Sequence, residues 1–354
     1  MSNSLPSHSI WSCRPNLQDV NQSSVFVERR HFSLVLVLLL LGGALSGCIT
    51  TNASSQSEGE MPIDSEELPP LEDCIEFEDM ERCWQIYAPE GFSPTECLEI
   101  SCPLVVDIHG YTDFGERQRA VSGFDDMADE FGFLVMYPIG SGSMGSWNSG
   151  WCCGDAKDME LNDVGLIENM VAIVQENWST DPNRIYVTGW SNGCSMTQKL
   201  VNEASHLFAA AGCMAHYLLE LEASDYTPVP MMEVHGVRDA VVHYGVTYAN
   251  SLIFDRSLEG DEGALQNMER WAEMNGCSGS TPDVEIFEWD YSVLGYSDCE
   301  NNAQVRLVSL NFAGHNPYKK DSPDQPTNTG NPTGIDTSRM VWEFMSQFSK
   351  NEMS

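Results

Sequence analysis

Residues 184–199 read RIYVTGWSNGCSMTQK, and the rest of the chain is best read outward from them. Ile185, Tyr186 and Val187 favour a strand, Gly189-Trp190-Ser191-Asn192-Gly193 makes a tight turn, and the residues beyond Gly193 can hold helical periodicity. A serine between strand and helix, with glycine two before and two after, has the form of a nucleophile elbow. Strand and helix pass so close there that a Cβ at either glycine would clash in the strained turn. Such a turn lifts the hydroxyl of Ser191 clear of the sheet. Asp181-Pro182-Asn183 supplies the turn before the strand, and no breaker interrupts the helix after it.

Upstream the chain alternates strands and helices. CWQIYA from Cys83 reads as a strand, and PLVVDIHG (103–110) as a second whose continuous apolar core implies burial on both faces. A glycine-containing loop follows, then a helix with Phe124, Met127, Ala128 and Phe131 on one face, then the strand FLVMYP. The loop GSGSMGSWNSGWCCGDA (140–156) carries Trp147 and Trp151, which make either an aromatic platform facing a substrate or a satellite core pinned by Cys152 and Cys153. Leu161 to Trp178 is an amphipathic helix, with Val164, Ile167, Met170, Val171, Val174 and Trp178 at core spacing.

Downstream of the elbow, strands are expected at LFAAAGCMAH, Val229 to Val234, Val284 to Trp289 and from Val305. Helices are expected at Leu265 to Met274 and Asp336 to Ser349. No segment repeats, and 354 residues accommodate one large α/β domain with a mostly parallel central sheet flanked by helices, here 71–354.

The N-terminal part has a different character. Residues 1–31 are polar and end in Arg29-Arg30-His31, and Phe32 to Leu45 is almost wholly apolar. A basic flank and an apolar run of about fourteen residues describe an export signal better than a membrane span, which needs about twenty. Residues 49–70, rich in Ser, Glu, Asn and Pro, read as a disordered acidic tether. The net charge of −36, with 17 basic against 53 acidic residues, excludes nucleic acid and anionic headgroups as expected partners. Of 12 cysteines, setting aside Cys13 and Cys48 leaves ten, an even number that suits an oxidising compartment. No paired C-x-x-C pattern suggests zinc, and no metal or cofactor is expected. Cys277 and Cys299 flank one strand region and are the expected pair; the other pairings stay open.

Serine needs a base within hydrogen-bond reach and a third group holding that base in the right tautomer. On an elbow of this kind the order along the chain is Ser, acid, His. Asp239 follows a strand downstream of Ser191, and His315 follows the final strand. Asp255 and Asp290 are rival acids with poorer placement. His235 and His243 neighbour Asp239, His206 is read within the elbow helix, and His216 ends a strand, more in keeping with a structural histidine. An oxyanion needs two backbone donors, expected at Asn192 after the nucleophile and at Tyr111 in the loop after His109-Gly110, with His109 itself positioning that loop.

Five ordered blocks resemble the extracellular polyhydroxybutyrate depolymerase-like esterases, which include feruloyl and acetylxylan esterases of the α/β-hydrolase fold. The blocks are PLVVDIHG, WNSGWCCGDA with LNDVG, DPNRIYVTGWSNG, HGVRDAVVHYG and AGH, within about Arg82 to Phe348. The resemblance implies Ser191 as nucleophile, Asp239 as triad acid and His315 as base. Ala240, His243 and Asn316-Pro317 depart from the family's pattern at the edges of the pocket. The implied activity is that of an exported serine esterase working through an acyl-enzyme on feruloyl, acetyl or hydroxyalkanoate esters, with Trp147, Trp151 and Trp190 toward the substrate. Leu45-Ser46-Gly47-Cys48 resembles a lipobox closing a leader over 1–48, which implies that Cys48 is lipidated and becomes the mature N-terminus, and that membrane contact is through a lipid anchor alone. Two other readings share the residues. One is a serine peptidase, for which no gating domain fits before Cys83; the other is a non-catalytic surface lipoprotein that binds glycan.

Overall fold

Strands form where apolar residues run unbroken between turns, and helices where the apolar period lengthens to that of a helix face. The computed structural model of the chain describes residues 68–150, 152–218, 223–245, 263–318 and 330–352. The expected leader with Cys13 and Cys48, the tether over 49–67, Trp151 and Asp255 lie outside the described residues. In chain order the elements are β1 (Glu72–Phe77), β2 (Met80–Tyr87), α1 (Pro94–Ile100), β3 (Leu104–Ile108), α2 (Gly115–Ser122), α3 (Phe124–Phe131) and β4 (Leu134–Pro138). Next come α4 (Gly154–Asp158), α5 (Asp163–Trp178), β5 (Ile185–Trp190), α6 (Asn192–Glu203), β6 (Ala210–Met214) and β7 (Met231–Gly236). The chain closes with α7 (Ala264–Met274), β8 (Val284–Phe287), β9 (Tyr291–Tyr296), β10 (Val305–Leu310) and α8 (Thr337–Met345).

Among the described residues one sheet runs in the order β1-β2-β4-β3-β5-β6-β7-β10-β9-β8. The central strands β4, β3, β5, β6, β7 and β10 are parallel neighbours, and an antiparallel hairpin closes each edge. Strand period sorts the core into two layers. Leu104, Val106, Ile108, Ile185 and Val187 face α5, α6 and α7, whereas Val105, Tyr186, Val308 and Leu310 face α3 and α8. Each large aliphatic side chain so buried contributes about 1.5–3 kcal/mol. Trp342 of α8 stacks on Phe133 with ring centroids 4.1 Å apart, tying the last helix to the start of β4.

Two details differ from the sequence expectation. Phe131 is largely exposed at the end of α3, against Trp342 and beneath the Arg339 guanidinium. His206 lies three residues past the end of α6, because the helix stops at Glu203 and the chain turns there toward β6.

Candidate active site

Ser191 sits between β5 and α6 with φ 56° and ψ −122°. A non-glycine residue held at positive φ costs about 1–3 kcal/mol and persists only where its surroundings enforce it. Here they do. A Cβ on Gly189 would lie 2.6 Å from the Gly193 carbonyl oxygen and 2.7 Å from that of Ile108, so strand, turn and helix close together only with hydrogen at that position. The Ser191 N–H donates to the Met214 carbonyl at 2.9 Å, fixing the turn to the end of β6.

Asp239 and His315 arrive from two neighbouring strands. The loop after β7 carries Asp239 and the loop after β10 carries His315. These loops touch because Gly236 has no side chain: a Cβ there would fall 2.5 Å from the Ala313 carbonyl oxygen. The structure brings the three residues into one hydrogen-bonded line, with His315 Nδ1 2.8 Å from Asp239 Oδ2 and His315 Nε2 2.9 Å from Ser191 Oγ. In that line Nδ1–H donates to the carboxylate, which leaves Nε2 to accept from the serine hydroxyl.

Asp239 is fully enclosed. Its Oδ1 accepts from the N–H groups of Val241 and Val242 at 2.8 and 2.9 Å. Burial alone would raise its pKa, but the imidazoles of His315 and His235 outweigh that and hold the carboxyl well below the usual carboxylate range. The indole N–H of Trp190 donates to the His315 carbonyl at 2.7 Å, and its ring lies tilted against the imidazole, so this tryptophan steadies the histidine's loop.

Of the expected oxyanion donors, Asn192 directly follows the serine in the chain. Asn192 is the first residue of α6, where an N–H has no acceptor within the helix. Tyr111 follows Gly110, whose Cα side packs on Trp190 and Ser191. His109 holds this loop from below: its Nε2 accepts from the Gly140 N–H at 2.9 Å, so Nδ1 carries the proton and donates to the Gly110 carbonyl at 2.8 Å. Burial pushes its pKa down to about 4, which keeps the ring neutral. His216, likewise buried and pushed down to about 3, accepts from the Tyr217 N–H.

Trp147 corrects the expectation of a substrate-facing residue. It is fully buried in the main core, and its indole N–H donates to the His109 carbonyl at 3.1 Å, so no face remains for a substrate. The satellite-core alternative describes it better. Asp290 lies in the turn between β8 and β9, away from the role of triad acid.

Sequence reasoning missed two supports. The Asn192 side chain accepts from the Trp147 N–H at 2.9 Å and donates to the Trp147 carbonyl at 3.0 Å, a two-way clamp between the elbow and the tryptophan loop. Asp163, within the LNDVG block, pairs with Arg82 at 2.9 Å, both buried, and accepts from the Asn148 N–H at 2.7 Å. The third miss is His235, buried behind Asp239 beside Glu233. Glu233 and His235 are two apart on β7, so the strand period places them on one face, and that spacing was the available signal.

The family model of the prolyl oligopeptidase family matches residues 126–218, the stretch from α3 past β6. Feruloyl esterase B of Piromyces equi is 26% identical over 279 residues, covering 74% of this chain and 44% of that protein. The bifunctional acetylxylan esterase/xylanase XynS20E of Neocallimastix patriciarum is 21% identical over 75% of this chain and 33% of its own length. The chain therefore spans less than half of either relative. Acetylxylan esterase A of Emericella nidulans is 24% identical, over 69% of this chain and 70% of that one. Among solved structures, the acetyl xylan esterase from Aspergillus awamori superposes with a TM-score of 0.52 at 16% identity, over 78% of this chain and 98% of that one. The chain has the α/β-hydrolase fold, and the proteins it is similar to include feruloyl and acetylxylan esterases.

Proposed function

We propose that this protein hydrolyses carboxylic esters outside the cytoplasm through an acyl-serine intermediate. The observation that carries the reading is the unbroken line Ser191–His315–Asp239 at a positive-φ elbow. His315 Nε2 takes the hydroxyl proton as Ser191 Oγ attacks the ester carbonyl carbon. The N–H groups of Asn192 and Tyr111 receive the oxyanion, and each such donor is worth about 2.7–4 kcal/mol. His315 then gives its proton to the departing alcohol. Water, deprotonated by the same nitrogen, attacks the acyl carbon, and Ser191 leaves with its proton restored. Asp239 stays ionised throughout and stabilises the imidazolium.

Feruloyl or acetyl esters of plant polysaccharide are the favoured substrates, by analogy with the relatives' names. Hydroxyalkanoate polyesters are the wider alternative. Trp190 is read as meeting the acyl group, a reading supported by its half-buried ring beside His315. Export is supported by the disulfides Cys74–Cys83, Cys97–Cys102, Cys152–Cys153, Cys194–Cys213 and Cys277–Cys299. Lipidation at Cys48 is part of the same proposal: Cys48→Ala should move the protein from the membrane to the soluble exported fraction.

The prolyl oligopeptidase match favours a second reading, a peptidase using the same three residues. The test is a panel of methyl ferulate, acetylated xylan, p-nitrophenyl acetate, hydroxybutyrate oligomers and a prolyl p-nitroanilide. Turnover of the esters with none of the amide is expected. Amide turnover would favour the peptidase, and a wholly inert wild type would leave a glycan-binding protein.

A further inference from the structure

The hydrogen-bonded line does not stop at the triad aspartate. Behind it, His235 is fully buried, with Nδ1 2.7 Å from Glu233 Oε1 and Nε2 2.9 Å from the Val242 carbonyl oxygen and 3.4 Å from Asp239 Oδ2. Glu233, on the same face of β7, accepts on its other oxygen from the Asn267 side chain of α7. That amide also donates to Gln198 Oε1, which accepts from the Trp271 indole as well, so the carboxylate is held in a fixed network.

Both ring nitrogens of His235 therefore face oxygen. A neutral imidazole carries one proton and would turn a lone pair onto one of those acceptors, so the ring calls for two. Two buried carboxylates on either side supply the compensating charge, and each would be costly to bury without a cation between them.

We propose that the Glu233–His235 pair is a positioning device for the triad: His235, held as an imidazolium between two carboxylates, donates toward the same Asp239 oxygen that faces His315. It keeps Asp239 ionised and turned to His315, and it offsets part of the charge that the aspartate presents to that ring. This rests on the triad reading above and adds two residues to it. The direction of titration agrees: burial disfavours the cation, but Asp239 and Glu233 outweigh it and lift His235 to about 10.

The other groups around His235 do not replace that charge. Tyr244 meets it edge-on with ring centroids 5.8 Å apart, Tyr217 stacks at 6.2 Å, and Ser309 sits opposite it on β10. His216, at the end of β6, is kept neutral by burial. His315 lies beyond Asp239, His243 follows in the same loop, and the exposed Arg238 points its guanidinium over Phe312.

The test compares wild type with Glu233→Gln and with the double variant Glu233→Gln/His235→Gln, which keeps an amide donor toward Asp239 but removes both charges. Without the nearby cation, the negative charge of Asp239 acts on His315 undiminished and its imidazolium persists to higher pH. The acid limb of kcat/KM for p-nitrophenyl acetate should therefore move up by roughly half a unit to one unit in the double variant. Its kcat should fall roughly three- to tenfold with KM little changed. An acid limb at the wild-type pH in a variant that still melts cooperatively would overturn the proposal, since a merely structural pair would leave the limb in place. Nitrogen-15 NMR of the full wild-type chain provides a readout independent of turnover. Both nitrogens of His235 should stay protonated from about pH 6 to about pH 9; a singly protonated ring at neutral pH would overturn it. Absence of ester turnover in wild type would sink the proposed function, while the NMR result would still decide this point.

Discussion

Asp107 shows how a single buried group sets a pH dependence. It lies one residue before the end of β3, with Oδ1 accepting from Gln118 at 2.7 Å. Burial raises its pKa from 3.8 to about 7, against the pull of Ser122 and Gln118 in the other direction. The folded value lies above the unfolded one, so between those two pH values the native state holds a proton that the unfolded chain has lost. Stability contributed by this group is present below pH 3.8 and is lost as pH rises through 7. Asp107→Asn should therefore be more stable than wild type at pH 8, by about 2–4 kcal/mol, and should lose that advantage as pH falls toward 4. Paired thermal melts at the two pH values check this, and a constant difference would contradict it. Ser191, Asp239 and His315 were legible in the sequence because chain order and post-strand position constrain them. The core role of Trp147 was not, because an aromatic residue in a glycine-rich loop has the same local pattern whether it faces solvent or packs beneath the loop. Only the contact with the His109 carbonyl, 38 residues away in sequence, separates the two.

Elements with strong periodicity were read correctly and weakly patterned ones were not. β5, α5 and β10 fall where their apolar runs predict. β1 was missed because EDCIEF continues the acidic composition of the tether, and its apolar positions are only half-covered at the sheet edge. α1 is seven residues long, too short to show a helical period; its signals are local, the Ser93 cap accepting from the Glu96 N–H and a proline at the first turn. β9 was hidden by Gly295 and by the hairpin turn at Trp289-Asp290. The elbow is the element on which the site depends most. Gly189→Ala places a methyl against two carbonyl oxygens, so the variant is expected to lose several kcal/mol or fail to fold. A variant melting within a few degrees of wild type would show that strand and helix can separate there.

At the scale of the whole molecule, cross-links join what the sheet alone leaves apart. Cys277–Cys299, expected from its position around one strand region, joins the end of α7 to the segment after β9. Cys194–Cys213 closes a 19-residue separation between the elbow helix and β6. With ten cysteines in play, composition indicates the number of bonds and not their partners, so this pair was out of reach of the sequence. Cys194→Ser/Cys213→Ser should cost about 2–4 kcal/mol, read as a melting temperature roughly 5–12 °C lower. An unchanged melting temperature would show that packing alone holds the elbow helix.

The proposed hydrolysis requires Ser191 to carry an acyl group between two half-reactions. Rapid mixing of wild type with excess p-nitrophenyl acetate should release close to one p-nitrophenolate per active site ahead of the steady state. Acid-quenched protein should carry an acetyl on the peptide containing Ser191, and both signals should vanish in Ser191→Ala. Continued ester turnover in that variant, or an acetyl on another residue with Ser191 unmodified, would contradict the mechanism.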